Sequence, residues 1–304
     1  MRVIDHAVIP DRPIKPKSML IIALSIVAGA VCGVILSFCH KLIKGGIEDP
    51  DELEQKFDIP VYASVMHSEN QKQISRKKIS DPLLAKNLDD PAIECMRSLR
   101  TTLHFKLESA SNNIIMICGA SPGIGKSFLA ANLSGILAEN GKKVLLIDAD
   151  LRRGSLHATF NLAKYGGLSD LVTGRSELSG VIKDTSFDAV KVITAGEYPN
   201  NPSELLLHKN VTKVMAAAAK DFDYLVIDTP PILAVSDAAI IGRYAATVLM
   251  VLKSNNHTVR EIQQSVKKFE QAGVNIDGFV LNDVKSFAAK YGYGGYVYHY
   301  DYHG

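Results

Sequence analysis

The sequence lacks several features that would place it quickly in a class. It has no tryptophan, and its four cysteines show no C-x-x-C spacing of the kind used by metal sites and redox motifs. Because Cys32 and Cys39 fall in an apolar segment and Cys118 in a predicted strand, we expect free thiols in a reducing compartment. The formal net charge of +2 is too small to indicate a nucleic-acid partner. Apolar residues make up 47% of the 304 residues, which is ample for a core.

The clearest motif is a glycine-rich turn between a short apolar run, residues 114–118, and a helical pattern. Backbone N–H groups can surround phosphate oxygens only where side chains do not intervene, and a helix N-terminus adds partial positive charge. The turn therefore predicts a phosphate-binding loop, although Ala120 occupies the first glycine position of the strict motif. The candidate nucleotide contacts are Ser121, Pro122, Gly123, Ile124, Gly125, Lys126, Ser127 and Phe128.

Apolar runs and helical patterns alternate through the rest of the chain. The runs are continuous Val, Ile and Leu, which is typical of parallel strands buried on both faces. We predict an α/β fold of the P-loop NTPase type, with a mostly parallel sheet covered by helices on both faces. Strands are predicted at 114–118, 143–148, 190–194, 223–228, 246–252 and 277–282, and helices at 126–139, 203–219, 236–243 and 258–272.

Polar side chains follow three of these strands, at the carboxyl ends where ligands bind in this architecture. Asp148 and Asp150 end one strand, and Asp228 ends another. Either strand end alone would also fit a helix cap or a turn, but together with the phosphate loop they indicate a metal–phosphate site. Since Mg²⁺ prefers oxygen ligands, Ser127, Asp150 and Asp228 are the predicted metal ligands. Asn282, after the last strand, is the predicted contact to adenine.

A long uncharged segment near the N-terminus, residues 19–39, is long enough to cross a bilayer. It is too long for a signal peptide, so we predict a retained transmembrane helix. Basic residues flank both of its ends, so orientation rests on ATP being cytosolic. The predicted domains are a proline-rich non-cytoplasmic segment (1–18), the transmembrane helix (19–39), a cytoplasmic connector (40–90), the P-loop domain (91–286) and a flexible tyrosine-rich tail (287–304).

The tail is the strongest compositional anomaly, since it holds six of the eleven tyrosines in the last fourteen residues. It has almost no aliphatic residues and cannot bury a core. It is an aggregation-prone aromatic tail, a stacking surface or a string of phosphate acceptors, each able to gain nearly two negative charges. The candidate phosphoacceptors are Tyr291, Tyr293, Tyr296, Tyr298, Tyr300 and Tyr302.

Taken together, these motifs resemble the bacterial tyrosine kinases (BY-kinases) of the polysaccharide co-polymerase type, the inner-membrane autokinases of capsule and exopolysaccharide export. The resemblance rests on the phosphate loop, Leu146-Ile-Asp-Ala-Asp-Leu-Arg-Arg153, Asn201-Pro-Ser-Glu-Leu-Leu206, Val226-Ile-Asp-Thr-Pro-Pro231, the tyrosine cluster and Glu94-x-x-Arg97-x-x-Arg100. It implies ATP and Mg²⁺ as cofactors, a ring-shaped homo-oligomer and phosphorylation of one subunit's tail by its neighbour. It also implies a cognate phosphatase and the polysaccharide polymerase and export machinery as partners.

In the family, the Glu-x-x-Arg-x-x-Arg helix builds the ring between subunits, so Glu94, Arg97 and Arg100 become candidate interface residues. A solvated helix face with one i,i+3 ion pair is the alternative. Two departures stand out: Ser155 occupies the place of an internal regulatory tyrosine, and the sequence does not include the first membrane helix and large periplasmic domain of the family's full-length proteins. The chain is expected to be the C-terminal half of a longer protein or a natural truncation.

The predicted chemistry is phosphoryl transfer from ATP to a tyrosine hydroxyl. Lys126 would reach the β- and γ-phosphates, and Asp148 is the candidate to accept the hydroxyl proton, with Asp150 and Asp228 completing the catalytic set. Two other functions stay open: a membrane-linked positioning ATPase of the deviant-Walker kind, and a non-catalytic scaffold that uses ATP only to assemble. The ATPases carry a signature lysine where this chain has Ser121.

Overall fold

The computed structural model describes residues 17–43, 46–71 and 89–285. The chain divides into two compact units, Met1–Gly45 and Gly46–Gly304. Almost all of the predicted proline-rich segment and the whole tyrosine-rich tail lie outside the described residues.

The first unit contains helix α1 (Ser18–Ile43). Its segment Met19–Ser37 has a mean hydropathy of 2.8 and no share of it is buried in the protein. These 19 residues extend about 28 Å at the usual helical rise, close to the hydrocarbon thickness of a bilayer. By length and composition α1 can cross a membrane, which agrees with the predicted helix at 19–39.

The second unit is built on one eight-stranded sheet. The strands are β1 (Val61–Met66), β2 (Ile114–Gly119), β3 (Val144–Asp148), β4 (Lys183–Asp184), β5 (Val190–Ile193), β6 (Tyr224–Asp228), β7 (Thr247–Lys253) and β8 (Gly278–Val284). Their order is β1-β8-β7-β2-β6-β3-β5-β4, and every pair is parallel except β4 with β5. The mostly parallel sheet is therefore confirmed, and the six predicted strands lie within two residues of their observed bounds.

Helices cover both faces of the sheet. Successive strand residues point to opposite sides, and in most of these strands the side chains on both sides are apolar and need to be buried. Ile115 and Ile117 of β2 belong to one hydrophobic cluster, and Met116 and Cys118 belong to the other. Among the described residues, the helices of this unit include α2 (Pro50–Phe57), α3 (Pro91–Glu108), α4 (Lys126–Ala138), α5 (Leu156–Thr159), α6 (Leu168–Val172), α7 (Leu178–Val181), α8 (Pro202–Leu206), α9 (Lys209–Asp221), α10 (Asp237–Gly242) and α11 (Val259–Gln271). Helices α3 and α4 pack on the first cluster, and α9, α10 and α11 pack on the second.

One predicted helix, 203–219, is wrong as a single element because the chain forms α8 and α9 there. The break falls at Leu207 and His208. His208 adopts an extended backbone, and its side chain accepts a hydrogen bond from the Asn210 N–H, so it caps α9. A side chain that satisfies an unpaired N–H at a helix start competes with continuing the preceding helix.

Part of the predicted connector belongs to the sheet. Strand β1 pairs with β8 along the edge, and the N–H of Phe279 donates to the carbonyl of Pro60 at 2.8 Å. The sequence analysis predicted no strand here, since it placed residues 40–90 in the connector; the residues of β1 are mostly half-buried. Proline cannot donate to a ladder and is confined to edge positions in sheets, which is where the structure places it.

Candidate active site

The phosphate loop lies between the end of β2 and the start of α4. Gly123 and Gly125 have φ angles of +72° and +98°, which side chains rarely adopt. Ala120, which stands where the strict motif has glycine, is fully buried. The N-terminal end of α4 follows directly at Lys126, whose side chain is also buried. The backbone amides of this turn can therefore approach a phosphate group.

Two carboxylates end neighbouring strands beside this loop. Asp148 of β3 and Asp228 of β6 are paired in register, and their side chains are 0% and 2% exposed. The oxygens of Asp148 accept the N–H groups of Asp150 at 3.2 Å and Leu156 at 3.0 Å. Within the described residues, Oδ1 of Asp228 has no hydrogen-bond partner. The site thus contains a buried acceptor with unused capacity.

Burial and mutual repulsion disfavour the charged forms of both carboxylates. Burial raises the pKa of Asp148 well above its ordinary value, and the charge of Asp228 acts in the same direction. Burial also raises the pKa of Asp228 to about 6, against the opposing effects of the Ser127 hydroxyl and the Lys126 ammonium group. The positive charge of Lys126 alone therefore does not neutralise the two carboxylates, so a bound cation would be stabilised beside them.

The residues present fit a magnesium ion that arrives with a phosphate group. Across 17–43, 46–71 and 89–285 there is no cluster of three or more His, Cys, Asp or Glu side chains able to hold a metal. Mg²⁺ usually takes one or two protein carboxylates and fills its remaining positions with substrate phosphates and water. Ser127, Asp150 and the unpaired oxygen of Asp228 supply the oxygen chemistry that such an ion needs.

The turn after β3 is braced by a buried acid that the sequence analysis missed. Oδ1 of Asp150 accepts the N–H groups of Arg152 at 3.1 Å and Arg153 at 2.8 Å. The Arg152 Nε lies 2.9 Å from Asp237, which is fully buried and also accepts the Ser203 hydroxyl. This contact joins the Leu146–Arg153 motif to the Asn201–Leu206 motif. The Leu146–Arg153 and Asn201–Leu206 motifs therefore lie on the same side of the site.

A cavity of about 320 Å³ opens on the other side of the phosphate loop. Its lining includes Met66, His67, Ser68, Gly123, Ile124, Gly125, Phe128, Lys253, Asn282 and Asp283. The predicted adenine contact, Asn282, lines this cavity and donates its amide Nδ2 hydrogen to the Ile124 carbonyl at 2.8 Å. This hydrogen bond ties Asn282 to the phosphate loop, a contact that the sequence did not predict, and its contact with adenine stays a prediction.

The rim of the cavity carries a set of paired charges. Asp283 contacts His67 Nδ1 with one oxygen and Lys253 Nζ, at 3.0 Å, with the other. Although burial favours its neutral form, these two hydrogen bonds lower the pKa of Asp283. The hydrogen bond that His67 donates to Asp283 is the main reason that the pKa of His67 is raised. No sequence signal pointed to His67, because it lies in the segment predicted as a connector.

The predicted interface residues on α3 contact the end of α4 in the same chain. Arg97 pairs with Glu94 and with Glu139, and Arg100 reaches Glu139 at 2.5 Å and the Ile136 carbonyl at 3.3 Å. Each arginine side chain keeps roughly 30% exposure. The simple prediction of one i,i+3 ion pair therefore describes only part of the network. Their assignment to a contact between subunits stays a prediction.

These elements define a P-loop nucleotide-binding α/β domain, and comparisons with known proteins agree. The family model described as an AAA domain matches residues 112–277. A second model, described as a G-rich domain on putative tyrosine kinase, matches residues 1–42. The kinase domain of the Escherichia coli tyrosine kinase ETK superposes with a TM-score of 0.74 and 41% identity, covering 84% of this chain and 100% of that domain.

Among curated proteins, the tyrosine-protein kinase ptk of Acinetobacter johnsonii is 44% identical over 96% of this chain. A putative tyrosine-protein kinase in the cps region of Klebsiella pneumoniae is 43% identical over the same share. The chain belongs to the bacterial tyrosine-kinase family. It spans 40% and 42% of the length of these two relatives.

Proposed function

We propose that the chain is an ATP-dependent protein-tyrosine autokinase. It transfers the γ-phosphoryl group of ATP to C-terminal tyrosines of neighbouring subunits. The observation that carries the proposal is the pair Asp148–Asp228, buried beside the phosphate loop with one carboxylate oxygen unpaired. A buried acid pair that Lys126 and Ser127 only partly compensate is costly to the fold, so binding of a cation beside it would be favourable.

Lys126 and the backbone of residues 121–125 hold the phosphates in this proposal, and Ser127, Asp150 and Asp228 hold the metal. Mg²⁺ bound there would offset the negative charge that accumulates on the transferred group. Positioning and electrostatics supply most of the acceleration in such transfers. The buried side chains of Lys126, Asp148 and Asp228 would contribute to both.

Asp148 is the proposed proton acceptor for the attacking tyrosine. A tyrosine hydroxyl has an ordinary pKa of about 10 and needs a base at neutral pH. Burial raises the pKa of Asp148, which makes it a stronger base than a solvated aspartate. The two backbone N–H groups that it accepts hold its carboxylate in a fixed orientation.

The proposed substrates are the tail tyrosines Tyr291, Tyr293, Tyr296, Tyr298, Tyr300 and Tyr302, delivered by an adjacent subunit of a ring. Glu94, Arg97 and Arg100 lie on a partly exposed face of α3 and are the proposed contacts between subunits. Helix α1 would anchor the chain in the bacterial inner membrane with the kinase domain in the cytoplasm, where ATP is present. Regulation of polysaccharide polymerisation and export, with a cognate phosphatase, is the proposed setting.

Incubation with labelled ATP and Mg²⁺, followed by anti-phosphotyrosine detection, tests the proposal. We expect label on the C-terminal tail, and none in Lys126→Met. The matched control is Lys213→Met, which removes an exposed lysine on α9 and should label as the wild type does. ATP hydrolysis without tyrosine label would favour the positioning ATPase. ATP binding with neither hydrolysis nor label would favour the scaffold.

A further inference from the structure

A buried histidine contacts the phosphate loop from a segment that carries no recognised motif. Nε2 of His257 lies 2.9 Å from the Ser121 hydroxyl oxygen. His257 is 2% exposed and sits in the turn between β7 and α11. The side chain of Ser121 in the phosphate loop is therefore held by a residue 136 positions away in the chain.

The second ring nitrogen decides the direction of this hydrogen bond. Nδ1 of His257 accepts the backbone N–H of Lys253 at 3.2 Å, so Nδ1 carries no hydrogen in the neutral ring. Burial lowers the pKa of His257, against the opposing charge of Glu261, and this keeps the ring neutral. Nε2 then bears the hydrogen and donates it to Ser121 Oγ. The hydroxyl hydrogen of Ser121 is left available to another acceptor.

Residues 46 and 47, here called the entry segment, make backbone contacts with the turn that carries His257. The N–H of Ile47 donates to the His257 carbonyl, and the N–H of Asn255 donates to the Ile47 carbonyl, both at 3.1 Å. Ile47 is 5% exposed. A Cβ on Gly46 would lie 2.4 Å from the carbonyl carbon of Asn255 and 2.5 Å from the Asn256 nitrogen. Only glycine allows this approach of two backbones.

We propose that His257 is a positioning residue for nucleotide phosphate, which orients the Ser121 hydroxyl as a donor to it, and that the entry segment holds His257 in place. The inference rests on the proposed function, because it needs a phosphate group in the loop. It adds a specific route by which the residues that follow α1 in the chain influence nucleotide affinity. The proposal involves only hydrogen bonds, and no covalent bond is formed or broken.

Two amide replacements separate the functions of the two ring nitrogens. His257→Gln places an amide donor near the position of Nε2, and His257→Asn places an acceptor near that of Nδ1. We expect the dissociation constant for a fluorescent ADP analogue, measured on the full chain, to rise about tenfold in His257→Asn and His257→Leu, as for a lost hydrogen bond to a charged group. His257→Gln should stay within about threefold of the wild type. The KM for ATP should rise more than kcat falls.

Equal weakening in the Gln, Asn and Leu variants would overturn the proposal, and so would wild-type affinity in all three. Thermal unfolding of each variant without nucleotide shows whether a loss reflects folding. The tautomer is read independently by ¹⁵N NMR of His257 in nucleotide-free protein, where hydrogen on Nε2 is expected and hydrogen on Nδ1 would refute the mechanism. If the wild type binds no nucleotide while the tautomer is as expected, the proposed function fails and not the His257 geometry.

Gly46→Ala tests the entry segment, with Gly180→Ala as its control because a Cβ on Gly180 meets nothing within 4 Å. We expect Gly46→Ala to weaken ADP binding several-fold and to shift the His257 ring resonances, with no change in the control. In a Ser121→Ala background the effect of Gly46→Ala should vanish, since the shared contact is already lost. Unchanged affinity in Gly46→Ala, or an undiminished effect in the double variant, would contradict this part of the proposal.

Discussion

The two sides of the phosphate loop handle charge in opposite ways. On the β3–β6 side, Asp148 and Asp228 are buried together, and the pKa of each is raised. On the β1–β8 side, Asp283 is paired with His67 and Lys253, and its pKa is lowered. The first arrangement is electrostatically incomplete without a cation, whereas the second is complete within the protein. An imbalance of buried charge therefore marks where a ligand must bring charge, and a balanced set marks a structural rim.

The largest expected effect comes from removing the unbalanced charge. Asp228→Asn should lower tyrosine phosphorylation at least about 100-fold, because it removes a proposed metal ligand. The same change should raise the melting temperature of the nucleotide-free protein, since it removes a buried carboxylate one of whose oxygens has no hydrogen-bond partner. Kinase assays and thermal unfolding of the same preparations measure both effects.

The matched control is Asp223→Asn at the surface, where hydrogen bonding by the Lys143 N–H lowers the pKa of Asp223. This variant should keep its activity and lose a little stability. If Asp228→Asn destabilised the nucleotide-free protein as Asp223→Asn does, the contrast between unbalanced and balanced acids would be broken.

Gly125 and Asn282 connect the two sides of the phosphate loop, and the next largest effect is expected there. In Gly125→Ala a Cβ would lie 2.1 Å from Asn282 Nδ2 and would displace the hydrogen bond from Asn282 to Ile124. In Gly123→Ala the new Cβ meets nothing within 4 Å, and only the positive φ angle opposes it. We expect nucleotide affinity to fall at least tenfold in the first, and a few-fold in the second, where backbone strain costs about 1 kcal/mol. Equal losses, measured by titration with a fluorescent nucleotide, would show that Asn282 does not couple the loop to the cavity.

Removing charge from the balanced side should have the opposite effect on stability to Asp228→Asn. Asp283→Asn leaves His67 and Lys253 without their shared carboxylate. Asparagine tolerates the φ angle of +64° at this position, so the backbone is preserved. We expect a loss of about 1 kcal/mol in the free energy of unfolding, as for partly exposed ion pairs. Chemical denaturation of the nucleotide-free protein measures it, and a gain in stability would contradict the assignment of a balanced rim.

The smallest effect is a pH dependence from His67. The hydrogen bond to Asp283 raises the pKa of His67 above its ordinary value, with Glu69 acting in the same direction. The pair therefore adds stability that is fully present below about pH 6.5 and is lost as pH rises through the raised pKa. His67→Gln should thus cost more stability at pH 6 than at pH 8. An NMR titration of His67 should give a pKa above 6.5 in the wild type and a lower one in Asp283→Asn, and identical values in both would argue against the pair.

Most of the fold was predictable because its evidence is local. The apolar runs that form β2, β3, β6 and β7 need burial on both faces, and that requirement alone indicates a covered parallel sheet. The strand β1 was not predictable in the same way, because its residues are only half-buried and its pairing depends on β8 at the far end of the chain. The break between α8 and α9 depends on how the His208 side chain meets a nearby N–H, which periodicity does not encode.

The residues of the candidate site likewise fall into those that local sequence predicted and those that it did not. The phosphate loop, Asp148, Asp150 and Asp228 were predicted as site residues from spacing alone, because a phosphate–metal site needs those residue types directly at strand ends. His67, Asp237 and His257 were not identified, since each acts on a residue more than 80 positions away in the chain. No window of sequence contains both partners of such a contact.

The amino-acid sequence by itself determined that this protein has a phosphate loop on a parallel sheet, an apolar helix of membrane-spanning length and acids at two strand ends. Only the tertiary structure decided which acids are unbalanced, which nitrogen of His257 faces Ser121 and how the entry segment reaches the nucleotide site. The physical reason is that strand and helix patterns depend on the burial of neighbouring residues. Charge balance and hydrogen-bond direction depend on which distant groups the completed fold brings into contact.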